Sequence, residues 1–586
     1  MKKFFILFFI AWAFCFATYG QNNPPSGYWI DEGVREEVTP NGDVYSISTP
    51  GQLGWIAWKI ITEDSDFKDY IIDLQSDIDL SGHYWIPIEI KENGVFRGNN
   101  HTISNISITY PSDKYNNNSY FGFFAEISSS NNTRGEELVA NLTLENVEIN
   151  PERLGIFRYG GFAGYVQDGI IRNCHVKKET VHVSYNNVTE VGALVGSMQE
   201  ATIDNCTAEE ITLLIENLDT NQGFYSISGG GVAAAFSSEG NKISNCAVSG
   251  ILKNGTLDWG KFTMDELLVG GFVGVYKAWD PSSLAIENSY STFDFDLTGI
   301  PVESKVSVGG LLGSMDKNNA TIAFMNCFYN GAIVFDEQSS VKEQYVGNLA
   351  GNIVEGNTLT FENCFYPENN SLELIANNPG NISTDGCASL SDETTGKLNE
   401  WVSGKSGYNT WIDGDENPVF ENPNPVEGTD YTVEEDTYTL LTPKGLLWFA
   451  DQVNNFGNKF EGKTVRLGEN TWKMSDWISI GKDESNYFGG AFDGNNQKVS
   501  ITGNEGFFGY VQGGTVENLT VHGTLTEAGS TTGIVIGKAI NETISNVTSQ
   551  GLLVCTTGSY YVGGVVAFAT NCVFADCVNE AMIDSK

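Results

Sequence analysis

Histidine is scarce. The 586 residues hold five, His83, His101, His175, His182 and His522. No two stand four apart, so the zinc-binding His-Glu-x-x-His of metallopeptidases is absent. Basic residues are few as well: 32 Lys and Arg face 74 Asp and Glu, a formal net charge of −42. Such a surface repels phosphate backbones and anionic lipid, which excludes nucleic acid and a lipid surface as expected partners. Beyond residue 20 no apolar run approaches the ~20 residues of a membrane span, so the mature chain is expected to carry no transmembrane segment.

Cysteine cannot supply a disulfide framework. Of ten cysteines, Cys15 lies in the apolar amino-terminal stretch, leaving nine, an odd number. Six of them, Cys174, Cys206, Cys246, Cys327, Cys364 and Cys577, share one repeated position that elsewhere holds Leu142, Ser289 or Val547. A position with that tolerance is a small buried site, and free buried thiols are expected. Glycine, at 65 residues, far exceeds its usual share of about 7%. Helical bundles avoid it, whereas tight turns and close backbone approaches need it.

Lys2 and Lys3 precede the apolar run Phe4 to Phe16, and Ala17-Thr18-Tyr19-Gly20 offers a small residue before Gln21. Residues 1–20 therefore read as a signal peptide. Phe14 is too bulky to make Cys15 a lipidation site.

What the chain has in plenty is one short phrase, an apolar residue, any residue, Asn, then a small or apolar residue. It ends on Asn105, Asn141, Asn173, Asn205, Asn245, Asn288, Asn326 and Asn363, plus the residue after each, at intervals of 32–43 residues. A constant phrase at variable spacing marks a solenoid with loops of changing length. Glycine phrases such as Gly160-Gly161-Phe162-Ala163-Gly164 and Gly192-Ala193-Leu194-Val195-Gly196 precede the Asn phrases, and alternating stretches such as Phe293-Asp294-Phe295-Asp296-Leu297 follow them. Period-two alternation means half-buried strands. Three strands per turn predict an all-β fold, a parallel β-helix, right-handed as parallel crossovers are. The Asn residues are expected to take the left-handed corner and to bond amide to amide as a ladder along the axis.

Each stack needs a cover for its open end. Thr49-Pro50 opens a helix with an apolar face, followed by Trp85-Ile86-Pro87-Ile88 and Phe96-Arg97-Gly98-Asn99-Asn100. The same order returns at Thr442-Pro443, Trp477-Ile478-Ser479-Ile480 and Phe492-Asp493-Gly494-Asn495-Asn496. Two tandem solenoids are expected, each with an amino-terminal helical cap. The boundaries read as a leader at 21–44, a first β-helix at 45–370, a closing segment and linker at 371–437, and a second, shorter β-helix at 438–586. Lys586 follows a rung with no closing segment, so the second is expected to be incomplete.

Taken together, the glycine phrase, the Asn-Cys phrase and the Trp-Ile-Pro-Ile…Phe-x-Gly-Asn-Asn cap resemble the GLUG-motif repeat family of bacterial exported proteins. Similar repeats occur beside the catalytic domains of IgA-specific metallopeptidases. The resemblance implies surface display, often as adhesins, and supplies no catalytic residues.

No local pattern supplies an acid–base pair. Asp294 and Asp296 share a strand face, and Asp77 and Asp79 lie in the cap; a solvated face explains both. Asp413-Gly414-Asp415-Glu416-Asn417 begins like a calcium loop, but its twelfth residue, Asn424, is not the required Glu. No cofactor or metal is expected. Trp259, Tyr276 and Trp279 are candidate binding aromatics, since exposed flat rings mark recognition surfaces. The expected function is that of a secreted or cell-surface, non-enzymatic adhesin or extended scaffold, binding a glycan or a protein of a host or neighbouring cell. The alternatives are a polysaccharide lyase or hydrolase using the β-helix groove, and a spacer within a longer surface protein.

Overall fold

The computed structural model describes residues 25–585, apart from 63–68, 92–93, 110–119, 130–137, 151–156, 185–187, 217–225, 238–239, 256–263, 278–281, 317–318, 336–340, 368–371, 379, 404, 406, 415–416, 422–427, 429, 455–456, 475–476, 529–530 and 556–560. The proposed signal peptide lies outside the described residues. The chain forms two compact units, one reaching Ser403 and the other running on from Pro418. Each is a parallel β-helix. The first is built from parallel sheets of 19, 9 and 7 strands, and the second from sheets of 10, 3 and 2 strands.

One rung shows how the sequence makes the fold. Val188–Gly192 climbs the first wall. The chain bends at Ala193-Leu194, and Val195–Gln199 forms the second wall. Glu200 turns the corner with φ 50°, Thr202–Asp204 starts the third wall, Asn205 turns again with φ 52°, and Thr207–Glu216 completes the rung. Each strand pairs in parallel with its counterparts on the neighbouring rungs. The glycine phrase is therefore not one strand, as the sequence suggested, but a concave bend between two. A Cβ at Gly192 would collide with the Val195 carbonyl across the bend. A Cβ at Gly196 would stand 2.6 Å from the Gly164 carbonyl of the rung before. Side chains are excluded from both places.

All eight phrase asparagines have positive φ, from 47° at Asn288 to 59° at Asn326. Their amides bond rung to rung. Asn173 donates to Asn141 at 2.9 Å, Asn205 to Asn173 at 2.7 Å, Asn288 to Asn245 at 2.9 Å, Asn326 to Asn288 at 2.7 Å and Asn363 to Asn326 at 2.6 Å. Asn245 donates to Asp204. Asn105 does not belong to this row. Register places Ile103 beside Leu144 and Ile106 beside Val147, so Asn105 stacks on Asn146, whose amide donates to it at 2.6 Å. Asn141 instead follows the Asn99-Asn100 turn. Asn105, Asn146, Lys178 and Glu210 form a second left-handed corner.

Helix α1 (Pro50–Thr62) opens the first unit. Thr49 Oγ1 accepts from the Gln52 amide, and Gln52 Oε1 accepts from the Thr49 amide, a reciprocal capping box. Trp85 stacks on Phe123 at 4.8 Å and donates its indole N–H to the Phe123 carbonyl. Trp477 and Phe507 repeat both contacts in the second unit. The first stack extends past residue 370, since Asn381–Asp385 and Ala388–Ser389 add another parallel rung. Helix α2 (Thr394–Val402) lies along the Asn row, where the Leu398 and Lys397 carbonyls accept from Asn326 and Asn363. In the second unit a hairpin, Tyr431–Glu434 against Thr437–Leu440, precedes helix α3 (Pro443–Asn454).

Candidate functional site

Of the candidate aromatics, Tyr276 is the one among the described residues. Tyr276 is fully buried. It aligns with Met315 on the next rung, in a column that continues to Ile353 inside the core, and so offers no face to a ligand. Trp259 and Trp279 lie outside the described residues, as do Asp415 and Glu416 of the calcium-like segment. Asp294 accepts from the Ala332 amide, and Asp296 from Thr298, so both carboxylates fasten neighbouring backbone. Asp77 accepts from Thr102, and Asp79 from Asn105. Among the described residues no three His, Cys, Asp or Glu side chains are grouped to hold a metal ion.

The concave bend brings side chains of the first and second walls together, a proximity that adjacent sequence cannot reveal. In the first unit this bend is filled. Leu268 and Val275 are fully buried in a small apolar cluster apart from the main core. Around it lies a row of alternating charge. Arg158 donates to Glu190 at 2.7 Å and to the Tyr120 hydroxyl at 2.9 Å. Its guanidinium is 5.2 Å from the ring centres of Tyr120 and Tyr165. Lys277 approaches Glu190 at 4.0 Å, and Lys305 bonds Asp316 at 2.7 Å. Glu266, stacked on Lys305's rung, is raised above the usual carboxylate range by burial and then by the charge of Asp316.

In the second unit the same bend is open. A cleft of about 540 Å³ is walled by Ile478, Ser479, Lys482, Glu505, Thr531 and Lys538, among others. Its floor includes Gly481, Gly506, Gly509 and Gly537, so peptide groups face the space without side chains. The Glu505 carboxylate accepts from the Ser479 amide at 2.9 Å. Lys538 lies 4.7 Å above the Tyr510 ring and pairs with Glu484 at 3.0 Å. One rung on, register sets Tyr561 beside Thr531 and Phe568 beside Lys538. The Tyr561 and Phe568 rings meet edge to face at 5.2 Å, with Tyr561 49% exposed.

Other titratable groups are sealed away. Glu179 is wholly buried against Gly161, neither oxygen has a hydrogen-bond partner, and burial pushes its pKa well up. Glu542 is raised to about 7 by burial, opposed by the Gly514 and Gly513 amides. The nine cysteines are free, and burial pushes Cys174, Cys246 and Cys364 well up. A thiol that resists ionisation is a poor nucleophile.

No protein-family model and no curated protein matches the chain. A solved structure described as a "putative immunoglobulin A1 protease" from Bacteroides ovatus is similar over 66% of this chain and 95% of that one, at 16% identity and a TM-score of 0.36. The expectation that the chain is not an enzyme is corrected by this finding, because the neighbour bears a protease's name. The non-enzymatic reading is withdrawn, and at this overlap no residue role is carried across. No described helix is long and apolar enough to cross a membrane.

Proposed function

We propose that the protein is an exported surface adhesin or extended binding scaffold of the GLUG-motif type, contacting a glycan or a protein on another cell. Residues 1–20 serve as its export signal, and two capped solenoids in tandem carry the binding surface. The observation that carries this reading is the open, mixed-polarity cleft on a stack otherwise packed to a close-knit core. Ligand sites are concave and combine apolar walls with a few polar groups. Deleting the gene should abolish attachment of cells to glycan-coated or cell-coated surfaces. Undiminished attachment to every surface tried would remove the proposal.

A second reading has its own observation. In the first unit burial raises Glu266 above the usual carboxylate range, and Asp316, whose charge adds to that rise, pairs with Lys305 at 2.7 Å. An acid beside a base is what glycoside hydrolysis uses. Incubation with acidic and neutral polysaccharides should then yield new reducing ends or unsaturated products. Loss of that yield in Glu266→Gln would assign it to this bend.

A further inference from the structure

We propose that the glycine-floored cleft of the second unit binds an anionic saccharide, with Lys538 and Lys482 receiving its carboxylate and the Tyr561–Phe568 pair receiving a sugar ring. The inference rests on the binding-scaffold reading and names the ligand class and the site.

Size and lining favour a small polar ligand with an apolar face. About 540 Å³ falls within the range of roughly 300–1,000 Å³ typical of small-molecule sites. Asn504, Thr531 and Thr532 line it with an amide and hydroxyls, and the glycines leave room for a ligand. Gly481, at φ 82°, keeps that floor bare, because other residues resist this conformation. Ile478, 60% exposed, gives one rim an apolar patch. A saccharide has this mixture of hydroxyl edges and C–H faces.

Charge selects among saccharides. The whole chain carries −42, yet Lys482 and Lys538 both line this one space. Glu505, the acid in the same lining, is already bonded to the Ser479 amide. The partner of Lys538, Glu484, is 78% exposed. A pair so open to water is weak, so a ligand carboxylate can take its place at little cost. Tyr510 beneath holds the ammonium in position through its ring face.

The aromatic pair extends the site along the axis. Tyr561 and Phe568 belong to the rung stacked directly on Thr531 and Lys538. A polymer bound in the cleft therefore meets a half-exposed aromatic surface at its next sugar. The first unit fills the corresponding bend with Leu268, Val275 and ion pairs. The open cleft is thus a departure from what the repeat otherwise builds.

The test is calorimetric titration of the full chain with polygalacturonate and polysialic acid, against dextran and pullulan. Acidic polymers should bind at least tenfold more tightly than neutral ones, and added salt should weaken them. The Lys482→Gln/Lys538→Gln double variant should lose at least tenfold on polygalacturonate, and Tyr561→Ala should also weaken it. Lys242→Gln, in the first unit, should leave binding unchanged. Circular dichroism melts should show each variant folded. Equal binding of dextran, or wild-type affinity in the double variant, overturns the assignment. If the wild-type chain still attaches to cells while the double variant attaches equally well, the cleft assignment falls alone. If the wild-type chain attaches to nothing, the scaffold reading falls with it.

Discussion

Asn288 is wholly buried, takes φ 47°, donates to Asn245 and accepts from Asn326. Alanine there strains the backbone by roughly 1–2 kcal/mol and strips the buried Asn326 amide of an acceptor, at roughly 1–3 kcal/mol. Asn288→Ala should therefore cost about 2–5 kcal/mol in a thermal melt, and Asn288→Gly should recover the backbone share. Such corners were legible because one residue type recurs at them. The second corner was not, since Lys178 and Glu210 turn left-handed there with no signature of their own, and Asn105 passes for a member of the first row for the same reason. Glu542 poses the opposite problem, a carboxyl folded where it prefers its proton. Its folded pKa of about 7 exceeds the ordinary value of 4.5. Between those values the folded state binds more protons than the unfolded one, so stability falls as pH rises through that window. Above it the penalty is constant, at most about 3 kcal/mol by the conversion of one unit to 1.36 kcal/mol. Glu542→Gln should raise the melting temperature at pH 8 and flatten the dependence between pH 5 and 7.

Among elements, the concave bend explains the glycine phrase. Strand alternation predicts one buried face and one exposed face. Val273–Tyr276 is buried at every residue, because its core face packs inward and its other face packs into the bend. Period-two reading has no means of seeing that second buried face, which takes Val275, whereas Tyr276 lies on the core face. The cap helices were legible because Thr-Pro starts a helix by local chemistry alone. The bend also sets the sign of a glycine substitution. Gly196→Ala forces a methyl to 2.6 Å from the Gly164 carbonyl and 2.9 Å from Arg158 Cβ. Overpacking against backbone should cost at least about 2 kcal/mol. Gly396, inside α2, has no atom within 4 Å of the place an added methyl would take, and its φ is not positive. Gly396→Ala should stabilise by about 0.5–1 kcal/mol. Chemical denaturation of the pair, one lowered and one raised, checks the assignment.

At the scale of the whole molecule the apolar interior is divided. One buried cluster includes residues from Trp29 to Cys364, and another includes residues from Leu440 to Cys555. Within either cluster, rungs share side-chain contacts and ladder bonds, so losing one rung exposes the next and melting is cooperative. Separate cores have no such reason to melt together, and a two-state description of the whole chain is not expected. Scanning calorimetry should resolve two transitions. Asn288→Ala should lower only the one belonging to the first unit, and Glu542→Gln should raise only the one belonging to the second. Both should move upward between 0.01 M and 0.15 M NaCl, because unmatched acidic charge repels itself across each unit and salt shortens that repulsion from about 30 Å to about 8 Å. A single transition that shifts as a whole in both variants would mean that the stacks fold as one body, and the division of the core would then carry no energetic meaning.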